Sequence, residues 1–516
     1  MAILSALSAD ISNAPLAVLI TYLVPAALIW YATVVVYRLY FHPLSHIPGP
    51  LAARATHLYC FYHNVIRGGK FYLKVEQMHK KYGPVVRITP SEVHLSDPGN
   101  YDKINFVGTP YVKDPAFYHR FGNDHSSFST ISNEEHRIKR AALGTFFSQK
   151  RVLELEDIVQ AKAQKLEDRM RSELDTSGRI NLHHGFRAIS VDVITDYAFD
   201  DCYDFLSQGD FGRPFFNMIR GTGTAIWFFQ QFPFVQPIAL AAPFWLVKIM
   251  SAPIARVMTL NRSCSNHISK VKKAVDAGEE MQPSRRTIFH QLLKPGFIKG
   301  YTVPTVEQLT DEAIGLVAAA SDTTGNAMTI ATYNTVINPE IYKRVNAELK
   351  EAFPDANAKL DLTTLEKLPY LNAVIKEGLR LSYGVVGRLP RIVPPSGAGF
   401  NGYTIPGGAT VGMSSWMMHR NKDIFPEPDK FDPSRWLDPT TSKSMEKYLV
   451  FFGKGTRQCV GMPLAYSELR VTLGRIFRHF DNLTTERKSL EDLMYDDYFS
   501  PFHAEGKNKF IFSVKT

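Results

Sequence analysis

The sequence predicts a mainly α, α+β fold with a long central helix and small β-sheets, preceded by one transmembrane helix. Three observations predict it: an uncharged apolar run near the amino terminus, one helical pattern of about 32 residues in mid-chain, and only a few strand-like stretches (VVRITP, EVHLSD, GYTIPGGATVGM) among long helical patterns. The 516 residues are 45% hydrophobic and 21% charged, with 34 Phe and 23 Tyr, so a large core is available and disorder is excluded. Lys plus Arg exceed Asp plus Glu by 59 to 50. That modest excess suits an acidic protein partner or a membrane surface and gives no reason to expect nucleic acid. The four cysteines, Cys60, Cys202, Cys264 and Cys459, lie far apart with no C-x-x-C pair, which argues against a disulfide scaffold or a zinc knuckle.

The first element is the apolar run Leu16 to Val36, 21 residues without a charge, long enough to cross a hydrocarbon core of about 30 Å. It is too long for a signal-peptide h-region, and the residues before it hold Asp10 but no Lys or Arg. Positive charge begins afterwards with Arg38, Arg54, Arg67 and Lys70, which places the following chain in the cytosol and residues 1–15 in the lumen. A transmembrane anchor over 16–37 is therefore expected, then a stiff proline-rich linker over 38–50, then one catalytic domain over 51–516. Within that domain the Phe-rich stretch from Phe211 to Met250 is apolar nearly all round and predicts buried helices; the alternative is a membrane-dipping or ligand-lining region.

The long helix starts at a capping box, Thr305 with Gln308, and stops at Pro339. At roughly 48 Å it must cross the domain centrally. Its run Ala319-Ala320-Ser321-Asp322-Thr323-Thr324-Gly325 interrupts an apolar face with an acid, alcohols and small residues. The bland account is a loosely wound turn, and the functional one is a groove served by a proton-carrying acid and alcohol. Near the carboxyl end stands Phe452-Gly453-Lys454-Gly455-Thr456-Arg457-Gln458-Cys459-Val460-Gly461. Glycines around one cysteine let peptide N–H groups point at a thiolate, and a helix starting near Pro463 adds its positive end. An apolar ring and a guanidinium beside such a soft anionic ligand suit a large planar cofactor bearing carboxylates, which is haem.

With this loop the sequence resembles the cytochrome P-450 haem-thiolate monooxygenases over essentially its whole length, and the anchor with its Pro-Gly-Pro hinge resembles the microsomal class. The family's E-x-x-R appears as Glu377-Gly378-Leu379-Arg380, and Phe431-Asp432-Pro433-Ser434-Arg435-Trp436 resembles the element that completes a buried structural triad of Glu377, Arg380 and Arg435. The resemblance implies haem b (iron protoporphyrin IX) with Cys459 as axial iron ligand, and Phe452, Gly455, Arg457 and Gly461 around the cofactor. Arg391 then holds a propionate, with Arg388 as its competitor. The family's W-x-x-x-R reads His136-Arg137-Ile138-Lys139-Arg140, so Arg140 carries over and His136 stands where tryptophan is usual. In the long helix Ala320 replaces a glycine, while Asp322 and Thr323 match the pair that delivers protons during oxygen activation.

The implied function is insertion of one oxygen atom from O2 into a lipophilic small molecule at the endoplasmic reticulum membrane. Electrons come from NADPH through cytochrome P-450 reductase, with cytochrome b5 as a further partner, and the docking face is expected to include Arg137, Lys139 and Lys454. The sequence is most similar to fungal secondary-metabolite members such as trichodiene-oxygenase-type enzymes, which implies a terpenoid-like substrate. The substrate pocket would draw on Phe117 to Phe128, Ile314, Val317, Ala318, Val385, Val386, Phe499 and Phe502, an apolar set. Two alternatives remain: an isomerase or dehydratase of the same fold acting without reductase, which Asp322-Thr323 disfavours, and a non-enzymatic haem-thiolate sensor.

Overall fold

The computed structural model describes residues 16–199, 201–278, 287–296, 298, 300–489, 493–503 and 510–515; the expected lumenal segment 1–15 lies outside them. Helix α1 (Leu16–Val36) holds Pro25 and no charged residue, and continues as a π-helical turn, Tyr37–Phe41. From Ile20 to Phe41 it is long and apolar enough to cross a membrane, and no part of it is buried inside the domain.

Residues 38–50 are docked rather than free. Leu44 and Ile47 are buried in a core cluster with Val85, Val93 and Val411. Arg87, fully buried, donates through Nη1 to the carbonyls of Arg38 (2.8 Å) and Leu44 (3.3 Å), and Arg54 donates to those of Leu39 and Ser45. The prolines set an extended backbone, and the two apolar anchors between them fasten it. Gly49 passes so near Arg87 that a Cβ there would lie 2.3 Å from its carbonyl oxygen.

Beyond the linker come α2 (Phe71–Tyr82), β1 (Val85–Arg87), β2 (Glu92–Leu95), β3 (Val112–Lys113), α3 (Asn133–Gly144), α4 (Glu156–Ser177) and α5 (Leu182–Phe199). They are followed by α6 (Arg213–Gln231), α7 (Val235–Ala241), α8 (Phe244–Met250), α9 (Ala252–Asp276) and α10 (Val306–Val336). Then come α11 (Pro339–Ala352), α12 (Pro369–Ser382), β4 (Arg391–Ile392), β5 (Thr410–Gly412), α13 (Ser415–His419), α14 (Met462–His479), β6 (Tyr495–Tyr498) and β7 (Ser500–His503), with a last strand at Ile511–Val514. The largest sheet runs β1-β2-β5-β4-β3, with only β2 and β5 parallel. Its register sets Lys113 of β3 opposite Arg391 of β4.

Helix α10 is 31 residues long and opens on the expected capping box, Thr305 with Gln308. It packs between α5, α9, α12 and α14. Gly325 gives α5 its approach, since a Cβ there would lie 2.8 Å from the Cα of Arg187.

The stretch from Phe211 to Met250 departs from the expectation of buried helices. Its first part, α6, is amphipathic and buries Phe216, Ile226, Trp227 and Phe229. Its second part leaves Phe234, Ile238, Trp245, Ile249 and Met250 each at least 65% exposed. The reason is length: α7 and α8 have seven residues each, too short to turn every apolar side chain inward.

Candidate functional site

The Cys459 loop is closed by its own backbone, with the Cys459 N–H donating to the Phe452 carbonyl at 2.8 Å. Gly453 and Gly455 have φ of +65° and +66°, where a side chain is strained. Gly455 also abuts Phe106, whose carbonyl oxygen would lie 2.6 Å from an added Cβ, so its need for glycine comes from packing against protein. Gly461 has an ordinary φ of −82° and nothing within 4 Å of a Cβ position, so it borders open space. Desolvation by the protein packed around it pushes the Cys459 thiol up, while the Gly461 N–H, the Arg140 guanidinium and the Met462 N–H act against that, although the residue itself is exposed. Cys459 is the one exposed cysteine of the four. Burial holds the thiols of Cys60 and Cys264 up at about 11 and about 12, so they are inert.

Four cations, Arg457, Arg140, Arg391 and Lys113, gather beside this loop, and among the described residues none of them pairs with an acid. Arg457 donates to the carbonyls of Thr130 (2.7 Å) and Ile131 (2.9 Å) and to Asn133 Oδ1 (2.9 Å), fastening the start of α3 to the cysteine loop. Arg140 reaches the Cys459 carbonyl at 3.4 Å. Burial and then Arg391 bring Arg457 down to about 10, and burial with Arg391 and Arg457 brings Lys113 well below its ordinary value. His136 is lowered to about 3 by burial, Arg457, Lys113, Arg140 and Arg391, in that order. Three buried polar atoms of this cluster have no hydrogen-bond partner among the described residues: Arg391 Nη1, Arg457 Nε and His136 Nδ1. Uncompensated buried cations with unused donors are costly unless an anion completes them. A macrocycle bearing two carboxylates fits this donor set, and Cys459 would supply a sulfur ligand to its metal, so the residues present fit haem.

Arg388, the competitor of Arg391, is already used: its Nε donates to Glu92 at 2.5 Å. Lys113 escaped sequence reasoning because nothing local marks it; only the β3–β4 register brings it beside Arg391.

The three charges of the expected triad meet in full burial. Glu377 accepts from Arg380 Nε (2.9 Å) and Nη2 (2.7 Å), Arg435 Nε (3.1 Å), Trp436 Nε1 (2.9 Å) and the Asp432 N–H (2.9 Å). Arg380 also donates to the carbonyls of His419 and Pro428. Every lone pair and donor that burial deprives of water is thus reused, which a buried ion cluster requires. His419, at the end of α13, extends the network. Its Nδ1 meets the Arg380 carbonyl at 2.8 Å, and its Nε2 accepts from the Val450 N–H at 2.9 Å, two residues before Phe452. Burial and Arg380 hold this imidazole down near 3, so it stays neutral and links the triad to the cysteine loop.

Along α10, Ala319 is exposed and Ala318, Ala320 and Thr323 are partly so, although the helix around them is buried. On an otherwise buried helix, that exposure leaves this stretch facing open space rather than packed protein. Thr323 Oγ1 donates to the Ala319 carbonyl at 2.8 Å, which ties its hydroxyl to the helix. Asp322 points the other way, about 100° around the helix. It is buried, paired with Arg187 of α5 at 2.5 Å and held by Ser321 at 3.2 Å. Burial raises its carboxyl pKa and Arg187 opposes the rise. The expected acid-alcohol couple is therefore no contact pair, because adjacent helical residues face different neighbours. Arg187 could not be read from sequence, lying 135 positions away.

Of the expected pocket aromatics, Phe117, Phe121, Phe128 and Phe499 assemble, whereas Phe502 lies outside that cluster and meets Tyr498 at 6.0 Å. Phe121 meets Phe117, Phe128 and Phe499 with ring centroids 5.8, 5.3 and 4.8 Å apart, and Trp227 joins Phe117 at 5.9 Å. Phe499 sits at φ +74°, a strained setting for an aromatic, with its N–H held by Asp497 Oδ1 at 3.0 Å. Polar groups border this cluster, in contrast to the apolar set expected: Trp227 Nε1 donates to the Asp497 carbonyl, and Arg220 pairs with Asp496 at 2.5 Å. Of the expected docking cations, Arg137 is exposed beside Glu134, Lys139 donates to the His125 carbonyl, and Lys454 pairs with Asp102.

Helical fold, glycine-lined cysteine loop and acid-free cation cluster together define a haem-thiolate protein. The cytochrome P450 family model matches residues 53–500, and the chain belongs to that family. A cytochrome P450 monooxygenase of Ascocoryne sarcoides, MO6277, is 36% identical, covering 88% of this chain and 90% of the relative. The N-acetyltryptophan 6-hydroxylase ivoC of Emericella nidulans is 33% identical (93% and 94%), and conidiogenone synthase PchP450 of Penicillium rubens is 33% identical (87% and 89%). Family and relatives establish a haem-thiolate monooxygenase that uses haem b, O2 and reductase-derived electrons on a small molecule, akin to fungal P450 enzymes of secondary metabolism.

Proposed function

We propose that this protein is a membrane-anchored monooxygenase of the endoplasmic reticulum that hydroxylates a lipophilic or aromatic small molecule in a fungal secondary-metabolite pathway. The observation that carries the reading is the Cys459 loop, whose one exposed sulfur is met by two backbone N–H groups beside three orphaned donors. Haem, when bound through Cys459, supplies the redox chemistry that activates dioxygen.

The chain's own residues do the rest. Arg391, His136, Arg140, Arg457 and Lys113 fix the cofactor by its carboxylates. Thr323 offers a hydroxyl to the open space on that face of α10, and Asp322 stores a proton-exchanging carboxyl behind it under the control of Arg187. The aromatic ring of Phe117, Phe121, Phe128, Phe499 and Trp227 excludes water and favours an apolar scaffold. Relatives named for 6-hydroxylation of tryptophan and N-acetyltryptophan support an aromatic substrate, and conidiogenone synthase supports the terpenoid-like alternative.

Helix α1 anchors the protein, and the exposed Phe234, Ile238, Trp245, Ile249 and Met250 give it a second lipid contact. Reductase, with cytochrome b5 as a further donor, docks at the exposed cations near α3. The test is expression with a reductase, feeding of indole and terpenoid scaffolds, and mass spectrometry of products. A single added oxygen that requires NADPH is expected; product formed without reductase would instead indicate isomerase or dehydratase chemistry.

A further inference from the structure

We propose that a polar cleft at the far end of α14, away from the cysteine loop and the aromatic cluster, binds the diphosphate group of a small polyphosphorylated molecule. The cleft has a volume of about 930 Å³ and lies between α4, the end of α11, the loop at residues 356–359 and the last turns of α14. Its only apolar side chains are those of Ala161, Ala356 and Ala358, so it offers no seat to a lipophilic body. Five cations line it against two acids. Two of the five are answered singly: Lys350 Nζ meets Asp481 at 2.8 Å, and Lys359 Nζ meets Asp157, which is not part of the lining, at 2.9 Å.

The other three, Arg171, Arg475 and Arg478, have one carboxylate between them. Glu167, buried on α4, accepts from Arg171 Nη2 at 2.7 Å and from Arg475 Nε at 3.0 Å, and His479 Nδ1 lies 2.9 Å from it. Against its own burial, His479, Arg171 and Arg475 hold its carboxyl down at about 2, so it stays charged. Arg478 is buried and among the described residues pairs with no acid. Its Nε donates to the Phe353 carbonyl at 2.8 Å and its Nη2 to the Pro354 carbonyl at 3.1 Å, which fixes the fork. Its Nη1 carries no described hydrogen bond and is not shut off from solvent, so it is free to meet a ligand in the cleft. Two guanidinium charges are thus left over on helices that hold them in place, and such forks match pairs of phosphate oxygens. The volume exceeds what one phosphate ion fills, so linked phosphoryl groups suit it better. Met462, at the start of α14, lies about 20 Å along the helix from Arg475. The site goes beyond the oxygenase reading and shares no residue with the cysteine loop.

The test uses the haem-loaded full chain in detergent and equilibrium dialysis with labelled pyrophosphate at fixed ionic strength, since salt screens a merely diffuse attraction. One pyrophosphate should bind per chain, and orthophosphate should bind at least about tenfold more weakly, as expected when one charge-assisted contact is missing. Arg478→Gln and Arg171→Gln should each weaken pyrophosphate by about the same factor. Arg171 is half-exposed, so its variant decides the matter even where Arg478→Gln fails to fold. Lys272→Gln, which removes an exposed cation of α9 outside the cleft, should leave binding unchanged. Absence of pyrophosphate binding, equal binding of orthophosphate, unchanged affinity in Arg171→Gln, or an equal loss in Lys272→Gln would overturn the site. Competition by ATP assigns the diphosphate to a nucleotide and its failure assigns it to the free ion; both require the binding that Arg171→Gln weakens. The ferrous-carbon monoxide spectrum of each variant reports separately on the haem site, so these outcomes leave the oxygenase reading to its own test.

Discussion

Among single residues, Cys459 has the sharpest consequence. Cys459→Ala removes the one exposed thiol, and the buried thiols of Cys60 and Cys264 and the half-buried Cys202 lie outside this loop. The thiolate-type Soret band of the ferrous-carbon monoxide form should disappear. Thr323→Ala should uncouple the enzyme, with product per NADPH falling more than NADPH oxidation, since positioned acid-base groups are worth about 10² to 10⁴ in rate. Thr324→Ala is the control, because Thr324 is buried one residue further round. Equal coupling in both variants would remove the proton role from Thr323. Glu468 of α14 is buried with Ser190 Oγ at 2.8 Å as its partner, and burial raises its carboxyl to about 8. The folded protein then holds a proton that the unfolded chain releases above about 4.5. Stability should fall as pH rises between these values, by about 1.4 kcal/mol per pH unit from this group, and level off above about 8. Glu468→Gln should flatten that part of the slope in urea unfolding at pH 6 to 9, and an unchanged slope would show that the carboxyl is already ionised.

At the scale of elements, the apolar helix α1 and the domain are joined by a segment that belongs to the domain. Deleting residues 1–37 keeps Arg38, whose carbonyl accepts from Arg87 and whose side chain donates to the Ala55 carbonyl. The shortened protein should bind haem normally and still sediment partly with vesicles through the apolar face of α7 and α8. Adding Trp245→Asp and Ile249→Asp should release it, because both side chains are more than 65% exposed and their change costs no core packing. If sedimentation persists in the double variant, the second lipid contact lies elsewhere.

For the whole molecule, charge distribution is expected to steer the encounter with an electron donor. The net charge of +9 is spread widely, and much of it near the cysteine loop is spent internally by Lys139, Lys454 and Arg457. Arg137, 70% exposed, is the expected docking cation left at the surface. Arg137→Glu should lower reductase-supported turnover several-fold at low salt and less at high salt, since screening weakens surface pairs first. Peroxide-supported turnover should be unchanged. Equal losses in both assays would locate the damage at the haem.

What the sequence determined by itself is whatever rests on local spacing. The capping box of α10, the i and i+3 pairing of Glu377 with Arg380, the glycines at positive φ and the apolar anchor are all set by residues within a turn or two of one another. Only the tertiary structure decided the long-range partners. The register of β3 on β4 brings Lys113 to Arg391, the approach at Gly325 brings Arg187 to Asp322, and His419 carries the triad to the cysteine loop. The same holds for the orientation of Asp322 away from Thr323 and for the exposed face of α7 and α8. The physical reason is that a helix or loop specifies its own backbone from nearby residues, whereas desolvation and pairing of a buried charge depend on whichever distant element packs against it.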